Sequence, residues 1–161
     1  MSAARQLLES GAPEMPLTEV RRRAAAVLRA HPQLTVDGWP DGWCVGHLPG
    51  FDHDRDFDME QVRAVLLFLT AFGERQQTIS NEYEADSYYL KYAVGNWTAA
   101  RGAFVDVKNG AVILAALMLG YEFREHSPRD LDCQFNLVVD SAIRYYTRSY
   151  RPFSPLFQPA H

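Results

Sequence analysis

Apolar residues in this chain recur mostly at helical spacing. Leu17, Val20, Ala24, Val27 and Leu28 form one stripe with arginines on the other side. They predict a helix opened by Met15-Pro16-Leu17-Thr18 and running to about Ala30. Thr18 is its expected N-cap. His31-Pro32 ends it, because a residue before proline is pushed out of helical geometry. Val62, Val65, Leu66, Leu69 and Phe72 mark the buried side of a second helix. Asp58 stands at its start with Gln61 three residues on, a capping-box pattern, and Gly73 at its stop. Leu90, Ala93, Val94 and Trp97 share one face of a third helix, beginning near Asp86 or Ser87 and reaching about Thr98. Gly110 to Leu119 is apolar on all sides, so it is expected at the centre of the core. Asn109 is its expected N-cap, and Gly120 lies where a helix stops.

Two segments alternate like strands. Tyr121 to Glu125 sets Tyr121 and Phe123 against Glu122 and Arg124, and Cys133 to Val138 can pair with it across the turn Ser127-Pro128-Arg129-Asp130. Leu34-Thr35-Val36 and Trp43-Cys44-Val45 read as the arms of a hairpin around Asp37-Gly38-Trp39-Pro40-Asp41-Gly42. Residues 140–150 suit a final helix, although their Tyr and Thr content also suits a strand. The proline-bearing tail 152–161 is expected to be irregular. No internal repeat is visible. The pattern predicts one α+β domain, mainly helical, with a small antiparallel sheet and an irregular acidic segment over 31–57.

The chain length of 161 residues fits one domain, and 47% apolar with 22% charged residues excludes a wholly disordered or fibrous chain. Two cysteines, Cys44 and Cys133, cannot supply a disulfide scaffold or a four-thiolate zinc site, and both are expected to be buried as small apolar residues. The longest apolar run, Ala111 to Leu119, falls short of the roughly 20 residues that span a bilayer. No apolar stretch near Met1 is long enough for a signal-peptide core, so a cytoplasmic protein with reduced thiols is expected.

Charge is unevenly placed. Residues 1–35 carry +2, residues 36–86 carry −8 and residues 87–161 carry +2, for a net −4. Basic groups concentrate at Arg21-Arg22-Arg23 and around Arg144, Arg148 and Arg151, which is less than the stripe expected of a nucleic-acid binder. The acidic middle would repel phosphate and suits a basic protein surface.

The stretch Ser87-Tyr88-Tyr89-Leu90-Lys91, then Val107-Lys108-Asn109-Gly110-Ala111-Val112-Ile113-Leu114-Ala115-Ala116, then Gly120-Tyr121 and Phe135-Asn136 resembles small uncharacterised proteins encoded on bacterial phages and plasmids. Their pattern is S-Y-x-L-K-H, Y-[IV]-S-N-G-A-x-I-x-A-A, G-[FY] and F-N. Here Tyr92 replaces the histidine and Lys108 the serine. The likeness covers about residues 87–136 and implies a mobile-element setting, without an activity.

The motif residues have a structural reading. Asn109 would satisfy amides at a buried helix start, Gly110 would admit another backbone, Ala115 and Ala116 would allow tight packing, and Ser87 would cap its helix. Alternatively Ser87, Lys91, Asn109 and Asn136 converge on a polar ligand pocket.

Asp52-His53-Asp54-Arg55-Asp56-Phe57-Asp58 resembles the opening of a calcium loop, yet Phe57 and Arg63 stand where an EF-hand needs Gly and Glu. With Cys44, His47 and His53 nearby it lacks zinc-ligand spacing, so a solvated acidic turn is the preferred reading and no metal or cofactor is assigned. A Ser87–Lys91 dyad has the wrong spacing for S-x-x-K chemistry. A winged-helix reading of 87–119 fails because its second helix would expose Ala-Val-Ile-Leu instead of polar readers. The Arg144-Tyr145-Tyr146-Thr147-Arg148-Ser149-Tyr150-Arg151 run mixes cations and aromatics, which suits protein hot spots or single-stranded nucleic acid.

The expectation is therefore a non-enzymatic accessory or regulatory protein with a protein partner. Binding is assigned to Asp52, Asp54 and Asp56 and to Arg144, Tyr145, Arg148, Tyr150 and Arg151. A nucleic-acid binder using 144–151 and a metal-dependent hydrolase at 52–58 are the alternatives.

Overall fold

The computed structural model describes residues 15–40, 54–125 and 131–148. Five α-helices and a two-stranded sheet lie among them: α1 (Leu17–Ala30), α2 (Met59–Phe72), a short 3-10 turn (Tyr83–Ala85), α3 (Ser87–Ala100), α4 (Asn109–Met118), β1 (Phe123–Glu125), β2 (Cys133–Phe135) and α5 (Ser141–Arg148). This is the mainly helical α+β arrangement that the periodicity predicts. Of the segment 140–150, Ser141–Arg148 is helical, and residues 149 and 150 lie outside the described residues. Asp140 caps α5, its carboxylate accepting from the Ile143 N–H at 3.0 Å.

The core forms around α4, which packs against α1, α2 and α3. Asn109 through Ala116 are all buried, as expected for a helix apolar on every side. Val20 and Ala24 of α1, Val62, Val65, Leu66 and Leu69 of α2, and Leu90, Ala93, Val94 and Trp97 of α3 close around it. Phe68 and Phe72 meet Trp97 and Tyr146 edge-on or tilted, at 5.1 to 6.0 Å between centroids, so α5 is joined to the core by rings.

The start of α4 presses against the 34–38 turn. The Gly110 N–H donates to the Val36 carbonyl at 3.0 Å. A Cβ at Gly110 would lie 2.0 Å from the Thr35 carbonyl oxygen, so only glycine allows this approach. At the other end Gly120 takes φ +81°. The Gly120 N–H bonds to the Leu117 carbonyl and the Tyr121 N–H to that of Ala116, which is a Schellman closure.

Several local expectations are corrected. Pro16, not Thr18, occupies the N-cap of α1, without a side-chain bond; proline at that place loses no needed amide. Asp58 does cap α2 by accepting from the Glu60 N–H at 2.9 Å, but Gln61 closes no capping box. Its Oε1 accepts from the Lys108 N–H at 2.9 Å, serving the start of α4 instead. Gly73 ends α2 in extended geometry, where a Cβ would strike the Tyr121 hydroxyl. Asp86, not Ser87, caps α3, its carboxylate accepting from the Tyr88 N–H at 2.8 Å. Lys108, not Asn109, sits at the N-cap of α4.

The strands are shorter than predicted. Phe123 pairs with Phe135, Arg124 with Gln134 and Glu125 with Cys133, antiparallel. Beyond Phe123 one backbone bond remains, from the Asn136 N–H to the Glu122 carbonyl at 3.2 Å; the ladder ends there because Asn136 Oδ1 takes the Glu122 N–H at 2.8 Å and the Tyr121 amide is used by the helix end. The other edge of β2 is covered by the polar segment 74–86, through bridges of Arg75 to Leu137 and Asp86 to Gln134. In the predicted hairpin, Thr35 pairs with Gly38, so the chain reverses at Val36–Asp37. The proposed second arm, 43–45, and the tail 152–161 lie outside the described residues.

Two outcomes follow from these contacts. Gly110→Ala should lower unfolding free energy by about 3 kcal/mol in urea titrations, and Gly120→Ala by only about 1–2 kcal/mol, since the first meets backbone and the second a flexible arginine end. Burial holds the Tyr121 phenol up at about 12, above its ordinary 10. Its contribution is complete below pH 10 and is lost as pH rises toward 12, because the unfolded phenol ionises first. Tyr121→Phe should flatten that alkaline decline, worth about 2–3 kcal/mol, in thermal melts across the window.

Candidate functional site

Exposed aromatic surface lies on the 3-10 turn and the first turns of α3, and Tyr145 is exposed on the neighbouring α5. Tyr83, Tyr88 and Tyr145 are 48%, 41% and 63% exposed, and the remaining large exposed hydrophobic among the described residues is Phe104. Their position is built by local caps. Asp86 starts α3 so that Tyr88, Lys91 and Tyr92 project from neighbouring turns of the same side. Tyr83, Tyr89, Tyr88 and Tyr92 then run in edge-to-face contact, with centroids 4.9 to 5.4 Å apart. Lys91 Nζ lies 4.7 Å from the Tyr88 ring centre and 5.0 Å from that of Tyr92, a cation on aromatic faces.

Charge pairs border this ladder. Arg144 Nη2 donates to Glu82 Oε1 at 2.7 Å, while Arg144 Nε and Arg148 Nη2 stand 4.0 and 3.8 Å from Glu84 Oε1. Helical spacing sets Arg144 and Arg148 one turn apart, while Ile143 and Thr147 point into the protein. Between the 3-10 turn and α5 opens a hollow of about 610 Å3, lined by Asn81, Glu82, Tyr83, Glu84, Arg144 and Arg148.

The acidic run has a different place. Asp54, Asp56 and Asp58 line a smaller hollow of about 150 Å3 with Asp37, Gln61 and Lys108. Two of its carboxylates already bind backbone: Asp54 accepts from the Asp56 N–H at 2.7 Å, and Asp58 caps α2. Asp56 is exposed. Among the described residues no three His, Cys, Asp or Glu side chains are grouped to hold a metal ion. Asp52 lies outside the described residues, as do Tyr150 and Arg151. The arginine inside the run matters more to the fold. Arg55 donates to the carbonyls of Leu28 at 2.7 Å and Leu34 at 2.8 Å, and to those of His31 and Pro32. A fixed cation there satisfies the last carbonyls of α1 and faces the negative end of its dipole.

The four residues of the polar-pocket reading each meet a separate partner, and none lines a hollow described here. Ser87 Oγ accepts from the Cys133 N–H at 3.0 Å. Lys91 covers the tyrosine rings. Asn109 Nδ2 donates to the Leu131 and Asp37 carbonyls at 3.0 and 3.2 Å. Asn136 takes the Glu122 amide and donates to the Gln76 carbonyl at 2.9 Å. They act as ties between segments distant in sequence.

Sequence reasoning singled out Arg144, Tyr145 and Arg148 but missed Glu82, Glu84 and Tyr83 as neighbours of the two arginines, and Tyr88 as an exposed ring of the adjoining ladder. The cluster Tyr83-Glu84 followed by Tyr88-Tyr89-Tyr92 was the available signal, since five aromatic and acidic residues at a helix start exceed what a core needs. The fold and surface define a mainly helical α+β domain bearing an aromatic face with paired charges. No protein-family pattern, no curated protein and no solved structure matches the chain. No helix among the described residues is long and apolar enough to cross a membrane.

Arg55→Ala should destabilise the protein by about 2–3 kcal/mol, because four carbonyls at and after the end of α1, most of them part-buried, lose a charged donor. Asp56→Ala should stay within about 0.5 kcal/mol. Denaturant midpoints measured on both variants check the order.

Proposed function

We propose that this protein is a non-enzymatic accessory factor that binds a protein partner through the tyrosine–arginine face of α3, α5 and the 3-10 turn. The exposed rings of Tyr83 and Tyr88, joined through Tyr89 and bordered by Arg144 and Arg148 next to Tyr83, carry the reading. Large rings left in water, while Trp39, Phe57, Phe68, Trp97, Tyr121 and Phe135 among the described residues are buried, suit a surface that another protein buries. Tyr and Arg are favoured in such places because each offers broad contact area with a polar end.

The charge pattern favours protein over nucleic acid. Arg144 and Arg148 face Glu82 and Glu84, so a phosphate would have to compete with carboxylates already present. A protein rim can exchange or extend such pairs. The likeness of 87–136 to phage and plasmid proteins supports a host or rival factor as the partner to test first.

The partner should be isolated on the wild-type chain from the native cell, identified, and purified for direct binding. Tyr88→Ala combined with Tyr145→Ala should weaken that interaction at least about tenfold, equivalent to about 1.4 kcal/mol, with an unchanged melting temperature. Arg22→Ala, on an exposed position of α1, which packs against α2 and α4, should leave it unaltered. Full affinity in the double variant removes this face from binding. Strongly salt-dependent retardation of DNA or RNA, lost in Arg148→Glu, would instead establish the nucleic-acid alternative.

A further inference from the structure

The described chain leaves α5 at Arg148, beside the first ring of the tyrosine ladder. Arg148 and Tyr83 line the same hollow, and Tyr83 meets Tyr89 at 4.9 Å between centroids. Residues 149–161 lie outside the described residues. Their sequence holds Pro152, Pro155 and Pro159 among Tyr150, Phe153, Leu156 and Phe157, and Arg151 alone among Asp, Glu, Lys and Arg. Such a segment gains by covering apolar surface, and the exposed rings of Tyr83 and Tyr88 begin where it starts.

We propose that segment 149–161 lies back on its own chain as a polyproline II helix along the Tyr83–Tyr89–Tyr88–Tyr92 ladder, masking that face until a partner displaces it. The masking rests on the protein-partner reading above, whereas the docking does not. Reach is ample. The ladder has three steps of 4.9 to 5.4 Å, while thirteen residues extend to about 40 Å in this conformation. The spacing also agrees. A polyproline II helix repeats every three residues with a rise of about 9 Å, so Pro152 and Pro155 share one edge and Phe153 and Leu156 the next. Two ring steps cover about 10 Å at most, a similar length.

The surface is suited to this backbone. Neighbouring rings meet at 62° to 87° and stand as ridges with notches between them. Polyproline II has no internal hydrogen bonds, so its carbonyls need outside donors. The Tyr92 hydroxyl donates to that of Tyr88 at 3.3 Å, which leaves the Tyr88 proton for an acceptor beyond the ladder, and the Lys91 ammonium lies over both rings. Aromatic grooves take proline-rich chains in this way because little conformational entropy remains to be lost. The occupant is the chain's own segment and not that of a second copy. The short connection from Arg148 gives it an effective concentration of about 1 mM, which a separate molecule reaches only in concentrated solution.

NMR of the full chain with isotope-labelled tyrosine rings tests the docking. Pro152→Ala combined with Pro155→Ala should shift the ring signals of Tyr83 and Tyr88 and leave that of the buried Tyr121 in place. A synthetic peptide of residues 149–161 should bind this double variant with a Kd of about 0.1 mM. It should bind the wild type about tenfold more weakly, because the attached segment competes at about 1 mM. Tyr88→Ala added to the double variant should weaken the peptide at least about fivefold. Unshifted rings, equal peptide affinity for wild type and double variant, or no saturable binding to the double variant up to about 5 mM overturns the proposal. Wild-type ring signals that move toward those of the double variant on dilution from about 1 mM to about 10 µM also overturn it, giving the face to a second copy's segment. With the protein partner purified, the double proline variant should bind it about tenfold more tightly than the wild type, and equal affinity removes the masking. Shifted rings with a partner indifferent to Tyr88→Ala and Tyr145→Ala would remove the protein-partner reading alone. Unshifted rings with a partner lost in that tyrosine variant would remove the docking alone.

Discussion

The backbone of Thr35 and Val36 lies against the first turn of α4 with no side chain between them. That approach depends on Gly110, whose amide bonds to the Val36 carbonyl and whose missing Cβ leaves room for two peptide units. Other connections accumulate at the same place. Asn109 ties Asp37 to Leu131, the Trp39 N–H bonds to the Leu131 carbonyl, and Gln61 reaches from α2 to the amide of Lys108. A helix whose buried surface runs all round is thus anchored at its N-terminal end by polar contacts, where the free amides of a helix need partners.

The same economy governs the rest of the molecule. The sheet has only three paired positions, which alone would stabilise little. Side-chain amides and hydroxyls extend its reach instead. Asn136 joins Glu122 to Gln76, Ser87 holds the Cys133 amide, and the Gln134 side chain donates to the Glu82 carbonyl at 2.6 Å. These bonds connect residues 46 to 60 positions apart for the longer links, so they fix the tertiary arrangement more than any local element. They also explain why the segment 74–86, polar and poor in regular structure, has a defined course along the edge of β2.

On the surface, pairing of charges decides what can approach. The aromatic face is bordered by arginines that already face carboxylates, while the acidic run spends two of its carboxylates on its own backbone. The chain's overall charge therefore describes neither surface. Desolvation of Tyr and Arg side chains, and not a long-range field, is the interaction such a face supports.

Helix positions were legible from residues such as Val62, Leu66 and Leu69 or Leu90, Val94 and Trp97, because burial on one side imposes a 3.6-residue period. The burial of α4 was readable from its uninterrupted apolar run, and the close approach at Gly110 from the pairing of a glycine with a helix start. Caps were less so: Thr18, Ser87 and Asn109 are residues of capping type that sit one or two positions from where the helices begin. Asn109 and Ser87, like Gln61, are drawn to partners far along the chain. No local pattern encodes Glu84 beneath Arg148, or Arg55 beneath the end of α1, since each contact exists only after separate helices have packed. The sequence by itself determined which segments are helical and which of them fills the interior, through the spacing of apolar side chains. Only the tertiary structure decided which polar residues meet, because a hydrogen bond needs its two atoms within about 3 Å, and no periodicity along a chain sets that distance.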